Sequence, residues 1–199
     1  PSFGKTFICI DDKINKELLK NLKNKNLYTY GLSPESNFFI KNITHNIKHT
    51  KFDLQVKVPN KKKLLIKNLK TPLLGIHNVR NSVAAVAVAL TVGISVLNIK
   101  KGLSSFKGVQ RRFNKIFTYN GVDFYDDYAH HPTEIKFVLE GVNKVYNDYE
   151  KVCVFQPHRI SRLKDLKKEF SLSFKNSDVV ILCPIYTAGE KIKLGFNYI

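Results

Sequence analysis

The sequence predicts an α/β fold, and three features of its pattern support this class. In the second half, short apolar runs alternate with stretches of helical periodicity in the order β-α-β-α-β. A strictly alternating strand and an alanine-rich amphipathic segment precede this part. Strands joined through helices run parallel with right-handed crossovers, so we expect a parallel sheet in the second half.

The first residues predict a strand, a helix and a second strand. An apolar run at 7–10 ends at Asp11-Asp12. Apolar side chains at helical spacing then predict a helix from about 13 to 22. Residues 28–30, followed by Gly31, have the composition of another strand and turn.

A β-hairpin and a long helix come next. Residues 52–58 alternate between apolar and polar side chains, the turn at 59–63 contains Pro and Asn, and the apolar run 64–66 completes the hairpin. The alanine-rich segment from 76 to 90 predicts an amphipathic helix that stops at Gly93.

A linker is predicted between Lys100 and Gly108, and beyond it strands and helices alternate. Their predicted order is strand 122–125, a helix opened by Pro132, strand 152–155, a helix over 163–174, and strand 179–183.

Three polar loops follow the three strands of this second part. They comprise residues 126–131, 156–162 and 184–190. In an open parallel sheet, ligands bind beyond the carboxyl ends of the strands, where these loops would lie together. The turns at the opposite edge carry only ordinary turn residues. The sequence therefore predicts a site at the carboxyl edge.

The first of these loops contains Asp126, Asp127, His130 and His131. Such residues serve as metal ligands, as acid or base groups, or as acceptors for nucleotide hydroxyls. A simpler interpretation is that one histidine caps the helix opened by Pro132.

Arginine occurs at only five positions against 28 lysines, and four of the five form two close pairs. Arg159 and Arg162 lie with His158 at the start of a predicted helix, which favours an anionic ligand. The alternative interpretation is a polar loop in which Ser161 caps the helix. The pair Arg111-Arg112 is suited to a phosphate, because the guanidinium fork binds two oxygens at once. Solvated surface charge is the alternative interpretation of this pair.

The amides of Asn78 and Asn81 are three residues apart and share one face of the alanine-rich helix. An amide both donates and accepts, which suits an adenine edge. Helix capping by Asn78 is the alternative interpretation.

The net charge of +17 suggests a polyanionic partner, but the lysines are spread along the whole chain. We therefore expect neither a nucleic-acid nor a membrane partner. The longest apolar stretch has about ten residues, half of the roughly 20 needed to span a bilayer. Because the chain contains no Met, we expect it to be part of a longer polypeptide.

Taken in order, these motifs resemble the Mur ligase family over nearly the whole chain. The matching segments are Phe3-Gly4, Cys9 to Asp12, Gly75 to Ala85, Phe106 to Phe113, Asp126 to Ile135, Phe155 to Arg159 with Arg162, and Tyr186 to Glu190.

The resemblance implies a domain organisation. Residues 1–106 correspond to the C-terminal half of the family's central ATP-binding domain. Residues 107–199 correspond to the N-terminal half of its Rossmann-like C-terminal ligase domain. The UDP-binding domain, the P-loop and the main Mg²⁺ ligands are expected in missing upstream parts, so we expect no metal ligand here and no catalysis by this part alone.

The resemblance also implies a reaction in the bacterial cytoplasm. ATP would activate the carboxylate of UDP-N-acetylmuramate as an acyl phosphate, and L-alanine would then form the amide, in peptidoglycan precursor synthesis. The glutamine-proline-histidine-arginine loop at 156–159 favours this member over the family's muropeptide-recycling ligase. Alternatives of other classes are a metal-dependent phosphoesterase and a basic nucleic-acid-binding module.

Roles for individual residues follow from the same resemblance. Cofactor binding is expected from His77, Asn78, Asn81, Arg111, Arg112, Asp126 and Asp127. Substrate binding is expected from Tyr128, His130, His131, His158, Arg159 and Arg162. Catalytic roles are expected from Arg112, Asp127, His130 and Arg159.

Overall fold

The computed structural model describes residues 4–22, 26–60 and 62–191. Phe3, in the first matching segment, and residue 61, in the predicted hairpin turn, lie outside these residues. The chain divides into two compact units, one extending to Gly108 and the other beginning at Val109. Their assignment to halves of two larger domains, with a boundary at 106/107, stays a prediction.

The first unit contains a sheet and helices. Its elements are β1 (Thr6–Cys9), α1 (Lys13–Asn21), β2 (Leu27–Gly31), β3 (Phe38–His45), β4 (Thr50–Val56), β5 (Leu64–Thr71), α2 (Ile76–Thr91) and α3 (Val96–Ser105). Within the described residues, the strands pair in sequence order; β1, β2 and β3 are parallel, and β3, β4 and β5 are antiparallel.

The core of the first unit lies between this sheet and α2. Every second residue of β4 is buried, as its alternating sequence predicts. Val79, Val83 and Val86 form the buried face of α2 and pack into the same cluster as Phe52 and Leu54. The apolar stripe therefore fixes which face of α2 points to solvent.

The predicted stop of α2 at Gly93 is confirmed. Gly93 has a φ of 88° and donates to the Leu90 carbonyl, while the amide of Ile94 donates to the Ala89 carbonyl. This pair of bonds is a Schellman motif, which requires a left-handed residue after the helix.

The predicted linker between Lys100 and Gly108 is wrong over most of its length, because α3 continues to Ser105. Ser95 caps this helix by accepting from the amide of Asn98, and Ile99 is buried in the core. Tertiary burial of Ile99 thus outweighs the helix-weakening Gly102.

At the ends of β1 and β2, a single carboxylate joins two strands to α2. Asp11 accepts from the Leu32 amide at 2.8 Å and from Arg80 Nε at 2.7 Å. The Asp11 side chain is only 10% exposed. Gly31 lies directly against it with a φ of 149°, and a Cβ there would overlap the carboxylate.

We expect Gly31→Ala to lower the free energy of unfolding by about 2 kcal/mol or more, because the new Cβ must displace the Asp11 carboxylate from Arg80. Urea unfolding followed by circular dichroism measures this change. The control is Gly102→Ala, where no atom lies within 4 Å of the added Cβ. It should be neutral or stabilising by about 0.5–1 kcal/mol. Equal stability of Gly31→Ala and the unsubstituted chain would contradict the close approach.

The second unit is also α/β. Its elements are β6 (Asn114–Tyr119), β7 (Val122–Asp126), α4 (Pro132–Val145), β8 (Val152–Phe155), α5 (Ile160–Asp165), α6 (Lys167–Ser173) and β9 (Val179–Leu182). The predicted α/β class is confirmed, and β8 and β9 are parallel as expected.

The strand β7 does not extend the parallel pair as predicted. It pairs antiparallel with β6, which the sequence analysis missed. Asn120 and Gly121 connect the two strands with φ values of 47° and 78°. Two consecutive left-handed residues are the geometry of a two-residue hairpin turn.

The helix predicted over 163–174 is divided into α5 and α6. The break is at Leu166, whose φ of −117° departs from helical values. Leu166 and Phe174 pack around a core that contains Phe155 and Phe170. The bend therefore lets both short helices cover β8. Among the described helices, none has both the length and the apolar character needed to cross a membrane.

Candidate active site

The second and third polar loops are bonded together at the carboxyl ends of β8 and β9. The Arg159 amide donates to the Tyr186 carbonyl at 2.9 Å, and the Tyr186 amide donates to the Pro157 carbonyl at 2.8 Å. Gln156 Nε2 donates to the Pro184 carbonyl at 3.1 Å. These bonds continue the parallel pairing beyond the strands. They fix the backbone position from which the Arg159 side chain extends.

The first loop meets the second through aromatic contacts. The His130 and His158 rings are stacked with centroids 6.4 Å apart, and Tyr128 contacts His158 edge-on at 6.4 Å. His158 also contacts Tyr186 at 5.2 Å. The predicted meeting of the three loops is therefore confirmed. We call residues 126–131, 156–162 and 184–190 the three-loop edge.

The protonation of His130 follows from its contact. Its Nδ1 lies 2.9 Å from the Tyr128 carbonyl, which can only accept, so Nδ1 carries the proton. In the neutral ring, Nε2 is then the basic atom. His130 can thus accept a proton at Nε2 from a ligand.

Asp127 is turned toward the protein backbone. Its Oδ1 accepts from the Ala129 amide at 2.7 Å and its Oδ2 from the Phe113 amide at 2.8 Å. Burial raises the pKa of Asp127, although these two amides and Arg112 act in the opposite direction. The carboxylate therefore joins the first loop to the segment that leads into β6.

The pair Arg111-Arg112 lies beside the first loop. Arg111 forms an ion pair with Asp126 at 3.2 Å, and its guanidinium lies 4.8 Å from the centre of the Tyr128 ring. A backbone hydrogen bond also joins the two segments, since the Tyr128 amide donates to the Arg111 carbonyl at 2.8 Å. Arg112 approaches Glu134 at 3.9 Å. Both guanidiniums are thus at the three-loop edge.

His131 caps α4, as the simpler interpretation of one of the histidines predicts. Its Nδ1 accepts from the Thr133 amide at 3.3 Å. Glu134 Oε2 accepts in return from the amides of His130 and His131 at 3.0 and 3.2 Å, which completes a capping box. Burial alone would raise the pKa of Glu134, but these two amides, His130 and Arg112 together lower it.

We expect Glu134→Gln to destabilise the chain by about 1 kcal/mol at pH 7, because it weakens two charge-assisted hydrogen bonds at a partly exposed site. The folded-state pKa of Glu134 is below its usual value of 4.5. The stability that its charge contributes is therefore present above pH 4.5 and is lost as pH falls through the lower folded-state pKa.

Urea unfolding of both proteins between pH 7 and pH 3 tests this sign. The free-energy difference between the unsubstituted chain and Glu134→Gln should shrink as the pH falls below 4.5. A difference that stays constant or grows on acidification would contradict it.

The second loop supplies positive charge. Arg159 begins α5 and Arg162 lies one turn further on, at the end of the loop. Burial lowers the pKa of His158, and the nearby His130, Arg162 and Arg111 lower it further. His158 is therefore a neutral imidazole near pH 7, and the two guanidiniums provide the charge for an anion.

In the residues that the structure describes, no three His, Cys, Asp or Glu side chains are grouped so that they could hold a metal ion. The carboxylates of the first loop have other partners. Asp126 pairs with Arg111, and Asp127 accepts from two amides.

The remaining predicted residues lie in the first unit, in the first turns of α2. Asn78 Nδ2 donates to the Leu74 carbonyl at 2.7 Å, so this amide supports the turn before the helix. Helix α2 begins after Gly75 without a side-chain cap, so the predicted alternative of capping by Asn78 is wrong in detail. Asn81 is exposed, and His77 is half-buried.

Sequence reasoning missed two site residues. Glu134 was overlooked because the cap residue, His131, is not one of the usual Ser, Thr, Asp or Asn caps; the spacing of three was the available signal. Glu190 was noted only as part of the third loop. Its carboxylate accepts from the Ser161 hydroxyl at 2.6 Å and from the Ser161 amide at 3.0 Å.

Comparison with known proteins identifies both units. Residues 2–89 match the Mur ligase middle domain. Residues 111–195 match the domain described as Mur ligase, glutamate ligase domain.

Curated relatives match the whole chain. It is 69% identical over 198 residues to a UDP-N-acetylmuramate–L-alanine ligase from Pelagibacter ubique, and covers 43% of that protein. It is 38% identical over 197 residues to the protein of the same name from Brucella anthropi, with 99% of the chain and 42% of the relative covered. The chain thus spans about two fifths of the length of the curated relatives it matches.

The fold agrees with a solved structure. The UDP-N-acetylmuramate–alanine ligase of Thermotoga maritima matches 93% of this chain with a TM-score of 0.71 at 24% identity, over 39% of its own length. Because the family's middle domain and its ligase domain match successive parts of one sequence, this chain belongs to the Mur ligase family.

Proposed function

We propose that this chain is part of an ATP-dependent ligase that joins L-alanine to the carboxylate of UDP-N-acetylmuramate in peptidoglycan precursor synthesis, in the bacterial cytoplasm. The observation that carries the proposal is the 69% identity to a protein of that name over the whole chain. The chain would contribute the second half of the ATP-binding domain (1–106) and the first half of the ligase domain (107–199).

Nucleotide binding is assigned to the first turns of α2. Asn78 would accept through Oδ1, since its Nδ2 is bonded to the Leu74 carbonyl, and Asn81 would donate and accept. His77 would border the base. ATP, when bound, would supply the phosphoryl group that activates the carboxylate. The main Mg²⁺ ligands are assigned to parts of the longer protein.

The amino-acid and muramyl ends of the substrates are assigned to the three-loop edge. Arg159 and Arg162 would bind carboxylate oxygens, since the guanidinium fork offers two parallel donors. His130 would take up the proton that the attacking amine loses, at Nε2, because its Nδ1 is bonded to the Tyr128 carbonyl. His158, neutral near pH 7, would hold its neighbour His130 in place through ring stacking.

Phosphate contacts are assigned to Arg112, with Arg111 beside it. Arg111 is held by Asp126 and the Tyr128 ring, which orders the loop between β7 and α4. The ion pair of Arg112 with Glu134 is long, at 3.9 Å, and the Arg112 side chain is 53% exposed. Arg112 can therefore turn toward an anion at small cost, since exposed pairs contribute little.

A chimeric enzyme tests the proposal. The matching segment of the Pelagibacter ubique ligase is replaced by this chain, and amide formation is measured with ATP, UDP-N-acetylmuramate and L-alanine. We expect kcat/KM within about tenfold of the parent enzyme, because the two exchanged segments are 69% identical. Ligation of a peptide in place of L-alanine would favour the muropeptide-recycling alternative, and a folded chimera without ligase activity would contradict the proposal.

A further inference from the structure

We propose that Glu190 is a positioning residue for Arg159: it caps α5 from a neighbouring loop and thereby fixes the guanidinium at the three-loop edge. This inference deepens the proposed function and rests on it, because it assigns the part of the site that orients the residue we place on the substrate carboxylate.

The backbone at Arg159 is unusual. Arg159 occupies the N-cap of α5 with φ 68° and ψ 127°, and its side chain makes no capping bond. Arginine has no acceptor with which to cap a helix, and a left-handed conformation is uncommon for residues other than glycine. Such a residue persists only where its surroundings hold it in place.

Glu190 supplies the missing cap, so the alternative prediction that Ser161 caps the helix is wrong: its hydroxyl donates to Glu190. One carboxylate oxygen accepts from the Ser161 amide at 3.0 Å, and the other from the Ser161 hydroxyl at 2.6 Å. The amide of Ile160 also interacts favourably with this carboxylate. The first free amides of α5 are thus satisfied by a residue from the third loop, about thirty positions further along the chain.

The third loop is shaped to present this carboxylate. Ala188 and Gly189 have φ values of 52° and 87°, and the Glu190 amide donates to the Thr187 carbonyl at 3.1 Å. This tight turn directly follows Tyr186, which bonds to the backbone on both sides of His158. The backbone is therefore fixed at Arg159 by the bond to Tyr186 and, two residues further on, by the bonds of Ser161 to Glu190.

In this arrangement, one residue caps helix α5 and another is left to bind the ligand. The carboxylate caps the helix and uses both oxygens on Ser161, so the guanidinium of Arg159 is not needed for the helix start and can serve the ligand. Removing the charge of Glu190 should change the direction in which the Arg159 side chain points. The strands β8 and β9 should keep their pairing.

The chimeric enzyme provides the test, with the isosteric variant Glu190→Gln. We expect its KM for L-alanine to rise about tenfold, with KM for ATP within about twofold of the unsubstituted chimera, because misplacing a binding group selectively weakens its own ligand. Ser161→Ala keeps the amide bond to Glu190 and should have a smaller effect. Glu150→Gln makes the same chemical change at an exposed position after α4 and should have no effect.

A spectroscopic measurement on the chain itself gives an independent readout. The Ser161 amide proton is expected to titrate in NMR spectra with the depressed pKa of Glu190, which the Ser161 hydroxyl and amide lower from the usual 4.5. This titration should disappear in Glu190→Gln and persist in Glu150→Gln.

The outcomes separate the two proposals. If the unsubstituted chimera does not ligate L-alanine, the proposed function fails. If it does, and Glu190→Gln leaves KM for L-alanine unchanged or raises all KM values equally, the positioning role of Glu190 is overturned. Absence of the Ser161 titration in the unsubstituted chain would overturn the cap itself.

Discussion

In a ligase that carries this chain, Arg159→Lys is expected to lower kcat/KM for amide formation about a hundredfold with an unchanged unfolding midpoint. The main chain of Arg159 is held by its own amide, which donates to Tyr186, so the fold does not depend on the side chain. Lysine keeps the charge but replaces a planar fork with a single ammonium group. A bidentate contact to a carboxylate is lost as a consequence.

Steady-state kinetics of the chimeric enzyme and its thermal unfolding measure both parts of this result. Arg159→Ala serves as the comparison and should lose at least as much activity. Turnover equal to that of the unsubstituted enzyme, at equal thermal stability, would show that Arg159 does not bind a substrate carboxylate.

Asp127→Ala should destabilise the chain by about 2–3 kcal/mol, because the amides of Phe113 and Ala129 both lose their acceptor. The carboxylate bonds at 2.8 and 2.7 Å join two segments of the second unit. Urea unfolding of the chain measures the loss.

The neighbouring residue provides a matched control. Asp126 pairs with Arg111 at 3.2 Å, and both side chains are exposed, at 41% and 57%. Exposed ion pairs contribute about 0–1 kcal/mol, so Asp126→Ala should be nearly neutral. Equal destabilisation by the two substitutions would contradict the bridging role of Asp127.

Where the hydrophobic pattern was regular, it predicted the first unit well. Strand β4 and helix α2 have uninterrupted periods, and both occur as expected. Strand β3 was missed because its alternation shifts between Lys41 and Thr44, at Asn42 with a φ of 50°. The Asn42 side chain donates to Asp53 on the next strand. A bulge held by a cross-strand partner leaves no simple period in the sequence.

Other differences have local causes. The hairpin of β6 and β7 was signalled by Asn120-Gly121, a strong turn dipeptide that the helix-and-strand alternation obscured. The linker prediction failed because Gly102 lowers helix propensity, whereas the buried side chain of Ile99 stabilises α3.

The candidate site was predictable at the level of loops, not of contacts. The parallel pair β8 and β9 brings the second and third loops to one edge, as expected. The first loop also meets them there, through His130 and His158, although its strand β7 pairs antiparallel with β6 and is not part of that pair. The bonds of Asp127 to Phe113 and of Glu190 to Ser161 depend on the path of each loop in space. The spacing of residues along the sequence does not predict such long-range contacts.

We propose above that the three-loop edge binds the substrates for the addition of L-alanine. Product analysis of the chimeric enzyme is the most direct test of this proposal. ATP, UDP-N-acetylmuramate and L-alanine are supplied together and singly omitted, and nucleotide, phosphate and sugar products are quantified by mass spectrometry. We expect one ADP and one phosphate for each alanyl amide formed, and no sugar product without L-alanine. Phosphate release in the absence of amide formation, or a different amino acid in the product, would contradict it.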